Sequence, residues 1–249
     1  PVEDVETINL ELALADLEQV QKKIAALPRA IKSQDKKISG KAKAQLPVLE
    51  RLAKFLEDGI PARSIDLSQD DQELVEELNL ITMKKMLYLC NVDEEALGAE
   101  NLHVGKVREL AKKENAEVLT ICGKLESEIA DLETIEEKYE FLDAAGIEQS
   151  GIDRLTKRAY EMLGYETFFT AGEKEVRAWT FPDGAKAPQA AGVIHSDFER
   201  GFIKAEVYHC EDLFNFGSEA KVKERGKFRM EGKDYLVKDG DVIHFRFNV

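Results

Sequence analysis

The chain has 249 residues, 43% of them hydrophobic, and a formal charge of −14. Such a length suits one large domain or two or three modest ones, and the acidic balance excludes a protein that coats nucleic acid wholesale. No apolar run approaches the ~20 residues of a membrane span, and the acidic start PVEDVE has neither the basic nor the apolar part of a secretory signal.

From Leu10, apolar residues fall at Leu10, Leu14, Leu17, Val20, Ile24 and Leu27, one narrow stripe of a helix. A second stripe, Leu46, Leu49, Ala53 and Leu56, ends at Gly59-Ile60-Pro61. Two such helices joined by a short polar link predict an antiparallel coiled-coil hairpin, roughly 25 Å long. Ser68 is placed to cap a short helix in DLSQDDQELVEELN. The pattern then changes: MLYLCNV and AEVLTIC are short apolar runs around a helix-like HVGKVRELAKKEN, which predicts parallel strands covered on both faces. GKLESEIADLETIEEKYEFLDAAG continues as helix, and IDRLTKRAYEMLGY reads as a connector. Beyond Thr167 the period is mostly two. TFFT and EVRAWTF flank the turn AGEK as one hairpin, DYLV and VIHFRFNV flank KDGD as another, and PQAAGVIHSDF between them reads as a single helix. FIKAEVY is one more strand of what would be a small α+β module. The acid is uneven, with 34 Asp and Glu against 22 Lys and Arg over residues 1–165 and 15 against 13 over 166–249.

The chain resembles the YchF-type Obg-like ATPases, a branch of the translation-factor-related P-loop proteins, over nearly its whole length. The resemblance is carried by ETINLELALADLE, by LYLCNVDE, by TFFTAGEKEVRAWTFPDGAKAPQAAGVIHSDFERGFIKAEVY and by EGKDYLVKDGDVIHFRFNV. It implies an α/β fold: a partial P-loop G domain formed by residues 1–8 and 79–143, interrupted by an antiparallel coiled-coil insertion over 9–78. A connector helix over 144–165 would then lead to a C-terminal α+β domain of β-grasp (TGS) type over 166–249. It also gives LYLCNVDE a chemical meaning, because relatives read the nucleotide base with Asn-Lys-x-Asp at the end of a strand. Here the residues are Asn91, Val92, Asp93 and Glu94. The variant implies ATP preference, with Asn91 addressing N7 and the amino edge of adenine and Val92 giving apolar contact. Glu94 belongs to the same motif without an assigned bond. Cys122 and Gly123, at the end of the next strand, occupy a second base-flanking loop and depart from its usual Ser-Ala pattern. Read without the resemblance, an Asn after a strand could equally cap the next helix.

Phosphate binding requires G-x-x-x-x-G-K-[ST]. None of the Gly-Lys pairs, at Gly40, Gly105, Gly123, Gly226 and Gly232, is followed by Ser or Thr. The lone D-x-x-G, Asp143–Gly146, is better explained as a helix end. The chain is therefore expected to be the C-terminal two thirds of a longer protein, inactive by itself, with its catalytic residues unassignable. ATP with magnesium is the cofactor implied for the intact protein; none is expected for this chain alone. Three well-separated cysteines, Cys90, Cys122 and Cys210, suit reduced thiols in the cytoplasm, and no metal-ligand spacing is present.

Two basic runs stand out: Lys36, Lys37 and Lys41 near the hairpin tip, and Lys223, Arg225 and Lys227 in the C-terminal module. Solvated surface explains them equally well, but the resemblance implies ribosome or ribosomal RNA as partner beside adenine nucleotide, without DNA specificity or a membrane role. His195 and Asp197 read as cap and packing, Trp179 as part of a packed surface and His244 as solvent-facing. The rival reading is a nucleotide-independent adaptor that uses the coiled coil and the terminal module.

Overall fold

The computed structural model describes all residues except Glu100, Glu173, Lys174 and Val249. Two compact units divide the chain, Pro1–Arg154 and Leu155–Val249. Among the described residues no helix is long and apolar enough to cross a membrane.

The first unit opens with a helical hairpin, α1 (Val2–Ile31) and α2 (Lys36–Glu57), turned by Asp35, whose side chain accepts the Lys37 amide at 2.8 Å. α1 runs unbroken from Val2, so residues 2–8 are its first turns. The buried stripe keeps Leu17, Val20 and Leu27 of the predicted one, with Ile24 packed against it, and departs from it in the earlier turns. Leu10 and Leu14 are 46% and 50% exposed, whereas Asn9, Ala13, Asp16, Leu17, Val20 and Leu27 face inward. The reason is polar. Asp16 Oδ1 accepts the Ile81 amide at 2.9 Å, and its Oδ2 accepts the Thr82 amide at 2.7 Å and the Thr82 hydroxyl at 2.6 Å. Asn9 donates to Tyr88 and Glu114. Those bonds satisfy polar groups that would be costly to leave unmade on this inward face. From α2, Leu49, Leu52 and Leu56 complete the core, with Leu67, Val75 and Leu80 from the segment that follows. In that segment Ser68 caps α3 (Gln69–Val75) as predicted, accepting the Asp71 amide at 3.1 Å.

Next come β1 (Leu87–Asn91), α4 (Leu102–Lys113) and β2 (Glu117–Ile121), with β1 and β2 parallel and in register from Leu87 opposite Glu117 to Asn91 opposite Ile121. The two strands are half-buried, not enclosed, and Leu89 is 44% exposed. A two-stranded sheet has two edges and α4 to pack on it, too little to cover both faces. The continuous helix predicted after β2 is two, α5 (Gly123–Ala130) and α6 (Ile135–Ala144). Thr134 restarts the helix through a capping box with Glu137. Gly146, at φ +68°, ends α6, and Ile147 N–H returns to the Leu142 carbonyl. α7 (Gly151–Leu163) runs across the unit boundary.

The second unit is a five-stranded mixed sheet of order β4-β3-β7-β5-β6. β3 (Tyr165–Ala171) and β4 (Val176–Pro182) form the predicted hairpin, whose AGEK turn lies partly outside the described residues. The predicted single helix is two, α8 (Ala187–Ile194) and α9 (Ser196–Arg200). His195 is extended between them, and its Nδ1 accepts the Asp197 amide at 3.1 Å, the capping role predicted for this pair. β5 (Phe202–His209) is followed by α10 (Cys210–Phe216), α11 (Glu219–Glu224), β6 (Arg229–Glu231) and β7 (Asp241–Phe247), the central strand. The second predicted hairpin does not form. Both edges of β7 are taken, by β3 in parallel and by β5 antiparallel, so DYLV pairs with the chain entering α8 through a bridge between Lys186 and Leu236. Phe168, Phe181, Ala187, Ala190, Ala191 and Ile243 form the core between α8 and one sheet face. Trp179 packs at its margin, with Arg177 4.0 Å above its ring. His244 lies on the opposite face, partly covered and 3.5 Å from Glu219.

Candidate purine-facing cleft

Parallel register brings the carboxyl ends of β1 and β2 to the same edge, the place where open α/β sheets bind ligands. There the Val92 amide donates to the Ile121 carbonyl at 2.8 Å, tying the two exit turns together. Asn91 is exposed, and its Oδ1 accepts the Gly123 N–H at 2.8 Å. A backbone amide can only donate, so the carboxamide oxygen is committed to Gly123 and Nδ2 is left as the donor group. A Cβ at position 123 would lie 3.3 Å from Asn91 Oδ1, a tight contact that the Asn91 side chain would have to relieve.

The two exit turns open on a cleft of about 1210 Å³ lined by Asn91, Val92, Glu94 and Cys122 together with Val104 and Lys124. Gly123 holds Asn91 from behind and is not in the lining. Glu94 begins a single helical turn, Glu94–Ala96, on the exposed rim, and Asp93 and Glu95 make that rim acidic. Cys90 also lines the cleft, and burial pushes its thiol pKa up, so it stays protonated and apolar in character. α4 presents its amino end here: Asn101 Oδ1 accepts the His103 amide at 2.9 Å, and His103 joins the wall. Sequence reading missed Asn101, His103 and Lys124. Asn101 before an apolar-periodic helix was the usable cap signal, while Lys124 carries no local signal.

Beneath the cleft, Tyr88 donates to Glu114 at 2.6 Å, and Glu114 also receives Asn9 at 2.9 Å and Arg63 at 3.2 Å. One carboxylate at the end of α4 thus joins β1, α1 and the turn after α2. Desolvation, and then the Glu114 carboxylate, push the Tyr88 hydroxyl pKa up.

The predicted basic residues are spread over both units. Lys36 and Lys37 are exposed at the hairpin turn, but Lys41 pairs with Glu77 at 3.0 Å. In the second unit Lys223 pairs with Glu219 at 2.7 Å and stacks over Phe228 at 4.4 Å. Arg225 lies 5.6 Å above Phe216, and Lys227 is exposed in the turn before β6. Among the described residues Lys36, Lys37 and Lys227 make no ion pair, so these three are the most available to an anionic partner.

The chain is similar to known proteins along its length. A family model described as YchF-GTPase_C, protein of unknown function (DUF933), matches residues 165–248. The ribosome-binding ATPase YchF of Bacillus subtilis (strain 168) is 52% identical over 251 residues, an alignment covering 100% of this chain and 67% of that protein. Its counterpart from Escherichia coli O157:H7 is 45% identical over 249 residues with the same coverage. Among solved structures, that of the Schizosaccharomyces pombe YchF GTPase superposes with a TM-score of 0.83 at 30% identity, over 99% of this chain and 66% of that one. This chain, about two thirds as long as those proteins, belongs to the YchF family.

Proposed function

We propose that this chain supplies the base-reading edge of an ATP-binding G domain, a coiled-coil insertion and a β-grasp (TGS) module to an ATPase that works on the ribosome. In this reading residues 1–8 and 79–143 belong to the G domain, 9–78 to the insertion, 144–165 to a connector and 166–249 to the TGS module. The relatives' name, ribosome-binding ATPase, supports the activity and the partner, and a ribosomal partner implies the cytoplasm.

The observation that carries the base assignment is the Asn91 carboxamide, held through its oxygen with its donor group free at the carboxyl ends of two parallel strands. Purine N7 is an acceptor and suits Nδ2. Because adenine and guanine share N7, Asn91 anchors either purine, and the choice of adenine needs a separate acceptor for its N6 amine. The carbonyls of the Asn91–Glu94 turn and the Glu94 carboxylate are the groups at hand. Val92 and Val104 supply apolar wall. Magnesium bound with ATP supplies charge neutralisation at the phosphates. In this reading the chain's own contribution is at the base.

The test is a nucleotide titration of the isotope-labelled intact protein that carries this chain, following the Asn91 side-chain and Gly123 amide resonances. ATP is expected to shift both, and GTP to need higher concentration. Preference for GTP would refute the adenine reading, and resonances that stay put at saturation elsewhere would refute the base assignment itself. For the partner, ribosome co-sedimentation across salt is compared with a chain carrying Lys36→Glu, Lys37→Glu, Lys223→Glu and Lys227→Glu. The variant is expected to pellet less, with a flatter salt dependence; equal pelleting would remove the basic patches from the interface.

A further inference from the structure

We infer that Glu126 and Arg154 are positioning residues for the purine-facing turn: they hold Thr120–Gly123 and, through the Gly123 amide, set the Asn91 carboxamide. This role rests on the base site proposed above and adds to it two residues that do not line the cleft.

Glu126 stands on α5 and is only 8% exposed. A carboxylate withdrawn from water needs donors in exchange. Its Oε1 accepts the Gly151 amide at 2.6 Å and its Oε2 the Ile152 amide at 3.2 Å, two N–H groups of the first turn of α7, at its positive end. The approach is so close that a Cβ at Gly151 would lie 2.6 Å from Ile121 Cγ2 and 2.7 Å from Glu126 Oε1. From the same first turn of α7, an Arg154 Nη2 hydrogen donates to the Thr120 carbonyl, one residue before β2 ends. Among the described residues Arg154 Nε is buried without a hydrogen-bond partner, and Nη2 makes the bond to the Thr120 carbonyl.

The exit turn is therefore clamped on both sides. Arg154 holds the strand ahead of Ile121–Gly123, Glu126 ties the helix behind it to α7, and the Gly123 N–H between them meets Asn91. Starting α7 does not by itself require Glu126, because the Ser150 hydroxyl already accepts the Asp153 amide at 3.0 Å. What the buried carboxylate adds is attachment of α5, and so of the Gly123 amide, to a fixed point.

The experiment measures hydrogen exchange at the Gly123 amide in the free chain for Arg154→Ala, Arg154→Lys and Glu126→Gln. Thermal unfolding and an ATP titration read at Asn91 follow. Arg154→Ala is expected to speed Gly123 exchange roughly fivefold, the worth of about one hydrogen bond, and to weaken the ATP response at Asn91. Arg154→Lys keeps a donor for the Thr120 carbonyl and is expected to recover most of both. Glu126→Gln keeps one acceptor and falls between. Unchanged Gly123 exchange in Arg154→Ala and Glu126→Gln, with lowered unfolding temperatures, would show residues that serve stability alone and overturn the proposal. Exchange is read before ATP is added, and the titration uses the intact protein that carries this chain, so an intact wild type deaf to ATP would refute the base site while the exchange data still decide the clamp.

Discussion

Asp16→Ala removes the acceptor for three donors at once: the amides of Ile81 and Thr82 and the Thr82 hydroxyl. Asp16 is 1% exposed, so water does not readily replace it. The Thr82 hydroxyl also accepts the Ala62 amide at 3.1 Å, which carries the disturbance into the turn after α2. Hydrogen bonds to a charged group are worth about 1.5–3 kcal/mol each, and the recovered cost of burying the carboxylate offsets part of the loss, leaving about 3–5 kcal/mol. For a unit of this size that lowers the midpoint of thermal unfolding by roughly 12 °C. Two probes separate the units. Trp179 is the sole tryptophan and lies in the second unit, so its fluorescence reports that unit alone. Far-ultraviolet circular dichroism is dominated by α1 and α2 in the first. The dichroism transition is expected to fall while the fluorescence transition stays. A shift worth less than about 0.5 kcal/mol would place Asp16 among surface-like substitutions and refute the claim that it sets which face of α1 turns inward.

Glu77 receives Lys23, Gln45 and Lys41, and these donors hold its carboxyl pKa at about 2, below the ordinary 4.5. A depressed folded-state pKa means the stabilisation is complete above pH 4.5 and is lost as pH falls towards 2. Because Glu77 is part-exposed, the difference in unfolding free energy between wild type and Glu77→Gln should stay within about 1 kcal/mol and shrink only in that acid window; a difference that grows there would contradict the pairing. In the second unit, Tyr235 donates to Asp241 Oδ2 at 2.7 Å, and burial, followed by that carboxylate, raises the hydroxyl pKa so that it remains a donor. Asp241 is fully buried, so Tyr235→Phe is expected to cost about 1–3 kcal/mol in the Trp179 transition and nothing in the hairpin. An unmoved fluorescence midpoint would show that Arg229 and the Lys238 amide suffice for that carboxylate.

What the sequence determined by itself was local. Gly59 at the end of the second hairpin helix, Ser68 as a cap, the apolar runs of β1 and β2 and the turn chemistry at Gly146 all act through neighbours a few residues away. Asn91 could be placed at a strand's end for the same reason. Tertiary structure decided the rest, because its causes lie far apart in the chain. Which stripe of α1 faces inward depends on amides 65 and 66 residues downstream of Asp16. The fate of DYLV was settled by β3 and β5 taking both edges of β7, and β6 is a three-residue edge strand with no periodicity to read. The orientation of Asn91 follows from Gly123, 32 residues on, and the hold on Gly123 from Glu126 and Arg154. Periodicity reports how much of a segment is buried; only the pairing of distant backbone groups decides which side chain is spent on them and which is left for a ligand.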